Sequence, residues 1–372
     1  MKKVTFFFIV LLLFIPINIK AISASSYIVM DMDNNIVLEG NNINESRLIA
    51  SISKIMTCII AIENGNLDEE VTVNKDILKA VGSSIYLEID EKITLKNLLY
   101  GMMLRSGNDA AIMIANTISK NEEDFVKLMN EYAKKIGMTN TIFYNSNGLE
   151  NSDGIGNKSS AYDMALLTSY AYKNEEFRRI FKTKNYTCKS DKKTYSWLNK
   201  NKLLKYDYIT GGKTGYTMKA KRTLVTTGNI NNINVVIVTL NDGNDWNDHL
   251  SLYQKISNTY INFEILNKDD FKILKDTLYT NDKLYIKNNI NILIKKDDIK
   301  NLKINYNLYN NPDNDNYVGD AIVYLKNKEL RKEPIYIEKQ KLTFKNKIIN
   351  FFKKIFWKCD ILIIEVIIWK RI

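Results

Sequence analysis

Ala50-Ser51-Ile52-Ser53-Lys54-Ile55-Met56-Thr57-Cys58-Ile59-Ile60-Ala61-Ile62-Glu63-Asn64-Gly65 is the stretch on which the architecture turns. Ile52, Ile55, Met56, Ile59 and Ile60 recur at helical spacing and predict a helix over about Ser51–Glu63. Gly65 stands where a C-terminal glycine cap belongs. Upstream, Tyr27-Ile28-Val29-Met30 and Ile36-Val37-Leu38 read as strands, and Asp33-Asn34-Asn35 supplies the turn of a hairpin. Downstream the pattern predicts helices over Leu95–Leu104, Asp109–Ile118 and Glu122–Ile136, the last closed by Gly137. A polar loop over Asn145–Lys158 precedes another helix, Tyr162–Tyr172. Thr223–Thr227 and Val235–Leu240 read as strands joined by the turn Asn229–Asn232, and a helix is expected over about Asp248–Ile265. Strands, then helices, then strands again, without regular alternation, predict an α+β fold: an antiparallel sheet flanked by helices, with a helical subdomain.

Outward from this core the texture changes twice. From about Asp270 short strand-like runs (Leu284–Ile286, Ile290–Ile294, Ala321–Leu325) are separated by turn clusters such as Asn310–Asn316, which predicts a small β-rich domain. In the last stretch Phe344, Ile348, Phe351, Phe352, Ile355 and Phe356 share one helical side, and Lys345, Lys347, Lys353, Lys354 and Lys358 favour the other. That distribution describes an amphipathic helix lying in a membrane interface. The run Ile361–Trp369 contains Glu365 and is too short to span. At the other end, Lys2 and Lys3 precede an apolar run, Val4–Ile17, and the small residues Ala21, Ser23 and Ala24, the layout of a secretory signal. The expected organisation is therefore 1–24 signal peptide, 25–268 catalytic domain, 269–340 β-rich domain and 341–372 membrane-association segment. The expected location is the outer face of the cytoplasmic membrane.

A chain of 372 residues with 26% charged residues and a net charge of +11 is globular in composition and suits an anionic partner. An exported chain seldom meets nucleic acid, so the anionic surface of a membrane is the partner expected for the basic tail. Cys58, Cys188 and Cys359 are too scattered for a disulfide framework, and with His249 as the single histidine no zinc spacing can be assembled. Neither a metal nor a cofactor is implied.

Three short motifs carry chemistry, and each has a decoy or is short. Ser51-Ile52-Ser53-Lys54 is an S-x-x-K, as is Ser190–Lys193; Ser106-Gly107-Asn108 is an S-x-N, as is Ser119-Lys120-Asn121. Lys213-Thr214-Gly215 occurs once. Context separates them. Ser51 and Lys54 open a strong helix, and an i, i+3 spacing puts both side chains on one face. A serine hydroxyl is a poor nucleophile until a neighbour takes its proton, and a desolvated lysine can be neutral enough to do so. Ser190–Lys193 lies in a charged stretch with no helix to organise it. Ser106-Gly107-Asn108 falls in a short turn between helices, whereas Ser119–Asn121 reads as ordinary capping. Lys213-Thr214-Gly215 follows Gly211-Gly212 and is expected to open an edge strand, where a glycine lets a ligand or a backbone approach.

S-x-x-K, S-x-N and K-T-G in this order are the signature of penicillin-binding proteins and class A β-lactamases. The chain resembles the low-molecular-mass D-alanyl-D-alanine carboxypeptidases in finer detail. The resemblance is carried by Ala50–Thr57, Leu104–Ala111 and Gly211–Thr217, and by the non-catalytic runs Gly137–Thr141 and Ala161–Leu167. It implies a β-lactamase/DD-peptidase-like fold and no cofactor. It implies peptidoglycan stem peptides as substrate and β-lactams as covalent inhibitors. By resemblance, Ser51 attacks the carbonyl between the last two D-alanines, Lys54 is the base, and Ser106 relays a proton to the leaving D-alanine. Asn108 holds the substrate amide, Lys213 with Thr214 binds the terminal carboxylate beside Gly215, and the N–H groups of Ser51 and Tyr216 form the oxyanion hole. One departure stands out. Asn145-Ser146-Asn147 precedes Gly148-Leu149 where the family often has a proline and then a histidine or small polar residue. That loop borders the site in such enzymes.

Three rivals share the motifs: a DD-endopeptidase, a β-lactamase and a catalytically silent wall-binding protein. A β-lactamase needs a loop glutamate for deacylation, and Glu150 is the one available. A Ser-His-Asp hydrolase is disfavoured, because His249 lies in the polar opening of a helix with no G-x-S-x-G nearby.

Overall fold

A computed structural model describes residues 22–273, 278–279, 283–309 and 316–338, and the backbone of 361–367. The signal-like segment 1–21, the expected amphipathic helix over Phe344–Phe356 and most of the turn cluster 310–316 lie outside the described residues.

The N-terminal hairpin forms as the sequence predicts, with β1 (Ser26–Asp31) and β2 (Ile36–Asn41) joined through Asn35 at φ 54°. They complete an antiparallel sheet with three late strands, β3 (Ile209–Thr217), β4 (Lys221–Ile230) and β5 (Ile233–Leu240). The order across this five-stranded sheet is β2-β1-β5-β4-β3, so β3 is an edge. Asn231 and Asn232, both at positive φ, make the tight turn between β4 and β5.

Strand alternation divides the sheet between two cores. Ile28, Met30, Val225, Val236 and Val238 face one, and Val29, Leu224, Val235 and Ile237 face the other. The first core holds most of the helices: α1 (Lys54–Asn64), α2 (Leu95–Arg105), α3 (Asn108–Ser119), α4 (Glu122–Ile136), α5 (Ala161–Tyr172) and α6 (Glu175–Lys182). The second is closed by α7 (Asp245–Thr259). Every residue of α1 from Lys54 to Ala61 is buried, so this helix is the centre of the domain rather than a surface element. Gly137 closes α4 in the left-handed conformation, φ 89°, as expected.

Three expectations change in the structure, and one stretch the sequence left unassigned gains elements. Ser51 does not lie in the helix proper: Ala50–Ser53 is a 3₁₀ turn, and α1 begins at Lys54. Gly65 is extended rather than left-handed, φ −108°; a Cβ there would stand 2.6 Å from Leu95 and 2.8 Å from the Ala61 carbonyl, so its role is close packing. The charged stretch before β3 is ordered as α6 and a hairpin, Asn185–Lys189 with Thr194–Leu198, whose buried Tyr195 and Trp197 reach the helical core. The helix expected over Asp248–Ile265 ends at Thr259, because Tyr260–Leu266 (β6) is captured as a strand by Ile290–Lys295.

Beyond β6 the chain is β-rich, around its own core of Ile286, Ile292, Leu302, Ile304, Val318, Val323 and Ile335. Its main antiparallel sheet is built on β9 (Leu302–Tyr309), β10 (Tyr317–Leu325) and β11 (Lys328–Glu338), with β7 (Lys283–Ile286) at one edge; β8 is the Ile290–Lys295 strand. The backbone of Ile361–Ile367 forms the other edge, β12, pairing antiparallel with β9. The apolar end of the tail is thus a strand, whatever conformation precedes it.

Candidate active site

The sequence motifs meet at one end of β3. The turn Ala50–Ser53 packs against this edge strand, and Ala50 adopts a left-handed φ of 48°, uncommon for a residue with a Cβ. Ser53 Oγ donates to the Ala50 carbonyl at 2.6 Å, and Thr223 Oγ1 donates to the Ile49 carbonyl at 3.0 Å, which fixes the turn on the sheet. Gly215 is where the backbones come closest: a Cβ there would stand 3.0 Å from the Ser51 amide nitrogen and 2.4 Å from Thr223 Oγ1. The expectation that Lys213-Thr214-Gly215 occupies an edge strand holds, although the motif lies within β3 rather than at its start.

Lys54 is the hub. Its Nζ lies 3.1 Å from Ser51 Oγ, 2.7 Å from Asn108 Oδ1 and 2.5 Å from the Asn147 carbonyl. The side chain is fully buried, and burial, followed by the charges of Lys213 and Lys200, holds its pKa well below the ordinary lysine value. A second cation lies across from it. Lys213 Nζ donates to Ser106 Oγ at 3.0 Å and to the Thr214 carbonyl at 2.7 Å. Burial first, then Lys200, pushes the Lys213 pKa down to about 7.

Ser106 ends α2 in the left-handed region, φ 64°, and α3 begins two residues later. This reversal turns a helix-terminal hydroxyl toward Lys213. Asn108 is buried at the start of α3, and its Nδ2 donates to the Val81 carbonyl at 2.5 Å. Ser51, Lys54 and Asn108 are thus joined by hydrogen bonds, Lys213 and Ser106 form a second pair, and the two lysines act on each other through their charges. Thr214 is half-buried on the same strand as Lys213, and Tyr216 is exposed three residues beyond Lys213, 62% accessible. A hydroxyl beside a desolvated amine, with a second amine one hydrogen bond from another hydroxyl, is equipped for acyl transfer with proton relay.

The decoys have structural duties. Ser190 Oγ accepts from the Lys192 and Lys193 amides in a hairpin turn, and Lys193 Nζ goes to Glu88. Asn121 caps α4 by accepting from the Asp124 amide at 2.8 Å. His249 is fully buried between Thr226 Oγ1 and Thr239 Oγ1, and burial pushes its pKa down to about 3. Among the described residues there is no cluster of candidate metal ligands.

The resemblance brought the Asn145–Leu149 loop to the border of the site, but sequence reading missed its main-chain contacts. The loop Asn145–Leu149 supplies the Asn147 carbonyl to Lys54, while the Ser146 carbonyl accepts from Thr57 Oγ1 at 2.6 Å. The loop's own Ser146 is held by Glu122 at the start of α4. A main-chain oxygen has no sequence signature. Gly148, at φ 91° over the Ala50 carbonyl, was the one available cue.

Comparison with known proteins agrees with this arrangement. The family profile described as D-alanyl-D-alanine carboxypeptidase matches residues 16–244. The chain belongs to this D-alanyl-D-alanine carboxypeptidase family. Among curated members, the carboxypeptidase DacF of Bacillus subtilis is 36% identical over 222 residues, 58% of this chain and 56% of the relative. DacC of Escherichia coli is 30% identical over 315 residues, 78% of this chain and 76% of the relative. With most of the curated carboxypeptidases it matches, the chain spans only a little over half of their length. Two solved structures are similar to this member of the family. A D-alanyl-D-alanine carboxypeptidase of Mycobacterium tuberculosis has a TM-score of 0.60 and 27% identity, covering 63% of this chain and 91% of that one. Penicillin-binding protein 5 of Haemophilus influenzae has a TM-score of 0.71 over 86% of this chain and 98% of that one; at 24% identity it speaks for the fold, β-rich part included.

Proposed function

We propose that the protein is a serine D-alanyl-D-alanine carboxypeptidase that removes the terminal D-alanine of peptidoglycan stem pentapeptides through an acyl-enzyme on Ser51. The observation that carries this reading is the contact of buried Lys54 Nζ with Ser51 Oγ, 3.1 Å. The Ser51 hydroxyl adds to the carbonyl between the two D-alanines and gives its proton to Lys54. The amide N–H groups of Ser51 and Tyr216 hold the resulting oxyanion, each donor worth about 3 kcal/mol. The C–N bond breaks as the proton taken by Lys54 is passed through the Ser106 hydroxyl to the leaving D-alanine nitrogen. Water, giving a proton to Lys54, then adds to the Ser51 ester, and Ser51 recovers that proton as the ester C–O bond breaks. Asn108 holds the substrate amide, while Lys213 and Thr214 take the terminal carboxylate. A β-lactam presents the same carbonyl and carboxylate and acylates Ser51.

Among the alternatives, a β-lactamase is disfavoured because Glu150 Oε1 is taken up by Thr217 Oγ1 at 2.5 Å. A DD-endopeptidase differs only in the peptide it admits. The deciding assay is D-alanine release from a pentapeptide ending in D-Ala-D-Ala, followed against pH. Lys213 must be charged to hold a carboxylate, so kcat/KM falls as pH rises through about 7. Lys213→Arg keeps its charge and removes that falling limb. Cleavage of cross-linked peptide without D-alanine release means an endopeptidase. Neither activity, and no penicillin adduct, leaves the silent wall-binding protein.

Export by the segment 1–24 and attachment through the basic, apolar-faced stretch Phe344–Phe356 belong to the same reading. Among the described residues no helix is long and apolar enough to cross a membrane. Co-sedimentation of the full chain with anionic but not neutral lipid vesicles is expected; equal recovery in the supernatant with both overturns the attachment.

A further inference from the structure

On the face of the sheet away from the serine cluster, a cavity of about 490 Å³ opens between α7 and the far ends of β3 and β4. Its lining is unlike the rest of this chain. In a protein with 26% charged residues none of the lining side chains is charged, and tyrosines and amides predominate. Tyr206 and Tyr208 form an aromatic wall, with ring centroids 5.8 Å apart. Tyr208 rests edge-on against buried Tyr253 at 5.5 Å, and Tyr253 Oη is held by Thr226 at 3.0 Å, so the wall is backed by the core. Lys205 covers part of the Tyr206 ring, with Nζ 5.0 Å from its centroid. Opposite the rings, Gln254 and Asn258 lie four residues apart on the exposed side of α7. Asn229 and Asn231 border the opening; Asn231 Nδ2 is committed to the Tyr260 carbonyl at 3.0 Å. Among the described residues, no hydrogen bond engages the side-chain amides of Gln254 and Asn258.

Flat aromatic faces stack on the C–H faces of sugar rings, and amides pair with hydroxyl and acetamido groups. Apart from Lys205 over the Tyr206 ring no charge borders the cavity, which disfavours cationic ligands and leaves phosphate or carboxylate a single counter-charge. We propose that this cavity binds a neutral, N-acetylated glycan chain. The choice of such a glycan among neutral saccharides rests on the carboxypeptidase reading, because stem peptides hang from one. Tyr208 and Gly215 are seven residues apart on or beside β3, about 23 Å. A fully extended pentapeptide spans about 17 Å, which is shorter, so the cavity holds a neighbouring part of the glycan chain rather than the sugar that carries the stem bound at Ser51.

The test titrates the full chain with the tetramer of β-1,4-linked N-acetylglucosamine, by calorimetry, for the wild type, Tyr206→Ala and the double variant Gln254→Ala/Asn258→Ala. Gln254 and Asn258 are exposed, and Tyr206 is half-buried against the core of the sheet's second face, so folding of each variant is verified by thermal melting. Binding is expected in the wild type and weakens roughly tenfold in each variant. D-alanine release from glycan-linked stems falls by a similar factor, while release from free pentapeptide is unchanged. Absent binding by the wild type, or unaltered binding by both variants, overturns the proposal. If the wild type binds the tetramer but releases no D-alanine from either substrate, the carboxypeptidase reading fails and the glycan site stands.

Discussion

Ser51→Ala abolishes both D-alanine release and covalent labelling by a fluorescent penicillin, while the protein melts within about 2 °C of the wild type. The loss in kcat expected for removing the nucleophile of a serine acyl-transfer site is on the order of 10⁶-fold. The small effect on stability follows from the contacts. Ser51 lies in a 3₁₀ turn whose shape is held by other groups: Ser53 Oγ on the Ala50 carbonyl, and Thr223 Oγ1 on the Ile49 carbonyl. Lys54 Nζ loses one of three partners and keeps Asn108 and the Asn147 carbonyl. Ser190→Ala, in the decoy motif, changes neither readout, since Ser190 Oγ serves only its hairpin turn. Residual penicillin labelling of Ser51→Ala, measured by gel fluorescence, refutes Ser51 as nucleophile and directs attention to Ser106.

Gly148→Ala is the second large effect, and it acts on the fold and the site together. A Cβ at Gly148 would stand 2.0 Å from the Ala50 carbonyl oxygen, 2.5 Å from its carbon and 2.9 Å from Ser53 Oγ, with φ at 91°. The clash is with backbone, so it cannot be relieved by turning a side chain. A left-handed φ costs a residue with a Cβ about 1 kcal/mol, and forcing atoms into a packed interior adds about 1–3 kcal/mol. The expected loss is about 3 kcal/mol, a fall in Tm on the order of 10 °C. The loop must lift or the Ala50–Ser53 turn must move, and either displaces the Asn147 carbonyl from Lys54 or Ser51 from its position. Penicillin acylation therefore slows by about 10²-fold, the scale of a small misplacement of reacting groups. Gly137→Ala is the control. It has φ 89° but nothing within 4 Å of its Cβ, so it loses only the conformational part and labels at the normal rate. Equal melting and labelling of the two variants contradicts the role assigned to the loop.

How much of this was legible in the sequence depends on the range of the interaction concerned. Ile52, Ile55, Met56, Ile59 and Ile60 specify their helix through a local period, and Gly137 specifies a helix end through its freedom at positive φ. Ser51 and Lys54 are three residues apart, so their meeting is nearly a local matter as well. The S-x-N motif could be sorted from its decoy by the elements around it, but neither it nor K-T-G could be placed.

Other features are non-local. Tyr260–Leu266 reads as the end of a helix and becomes a strand because Ile290–Lys295 offers it hydrogen-bond partners. Glu175–Lys182 and the following hairpin show a charged surface in sequence, and only packing reveals Phe177, Phe181 and Trp197 turned inward.

By itself, then, the sequence determined most of the helices, the central hairpins and the motif side chains proposed to react, all set by periodicity and short-range chemistry. The tertiary structure alone decided that Lys54 is dry and feels the charges of two other lysines, that a main-chain oxygen of Asn147 holds it, and that Gly148 leaves room for Ala50. The physical reason is desolvation. Whether an amine loses its proton depends on what surrounds it in three dimensions, and those neighbours come from Asn108, Asn147, Lys200 and Lys213, up to 159 positions away along the chain.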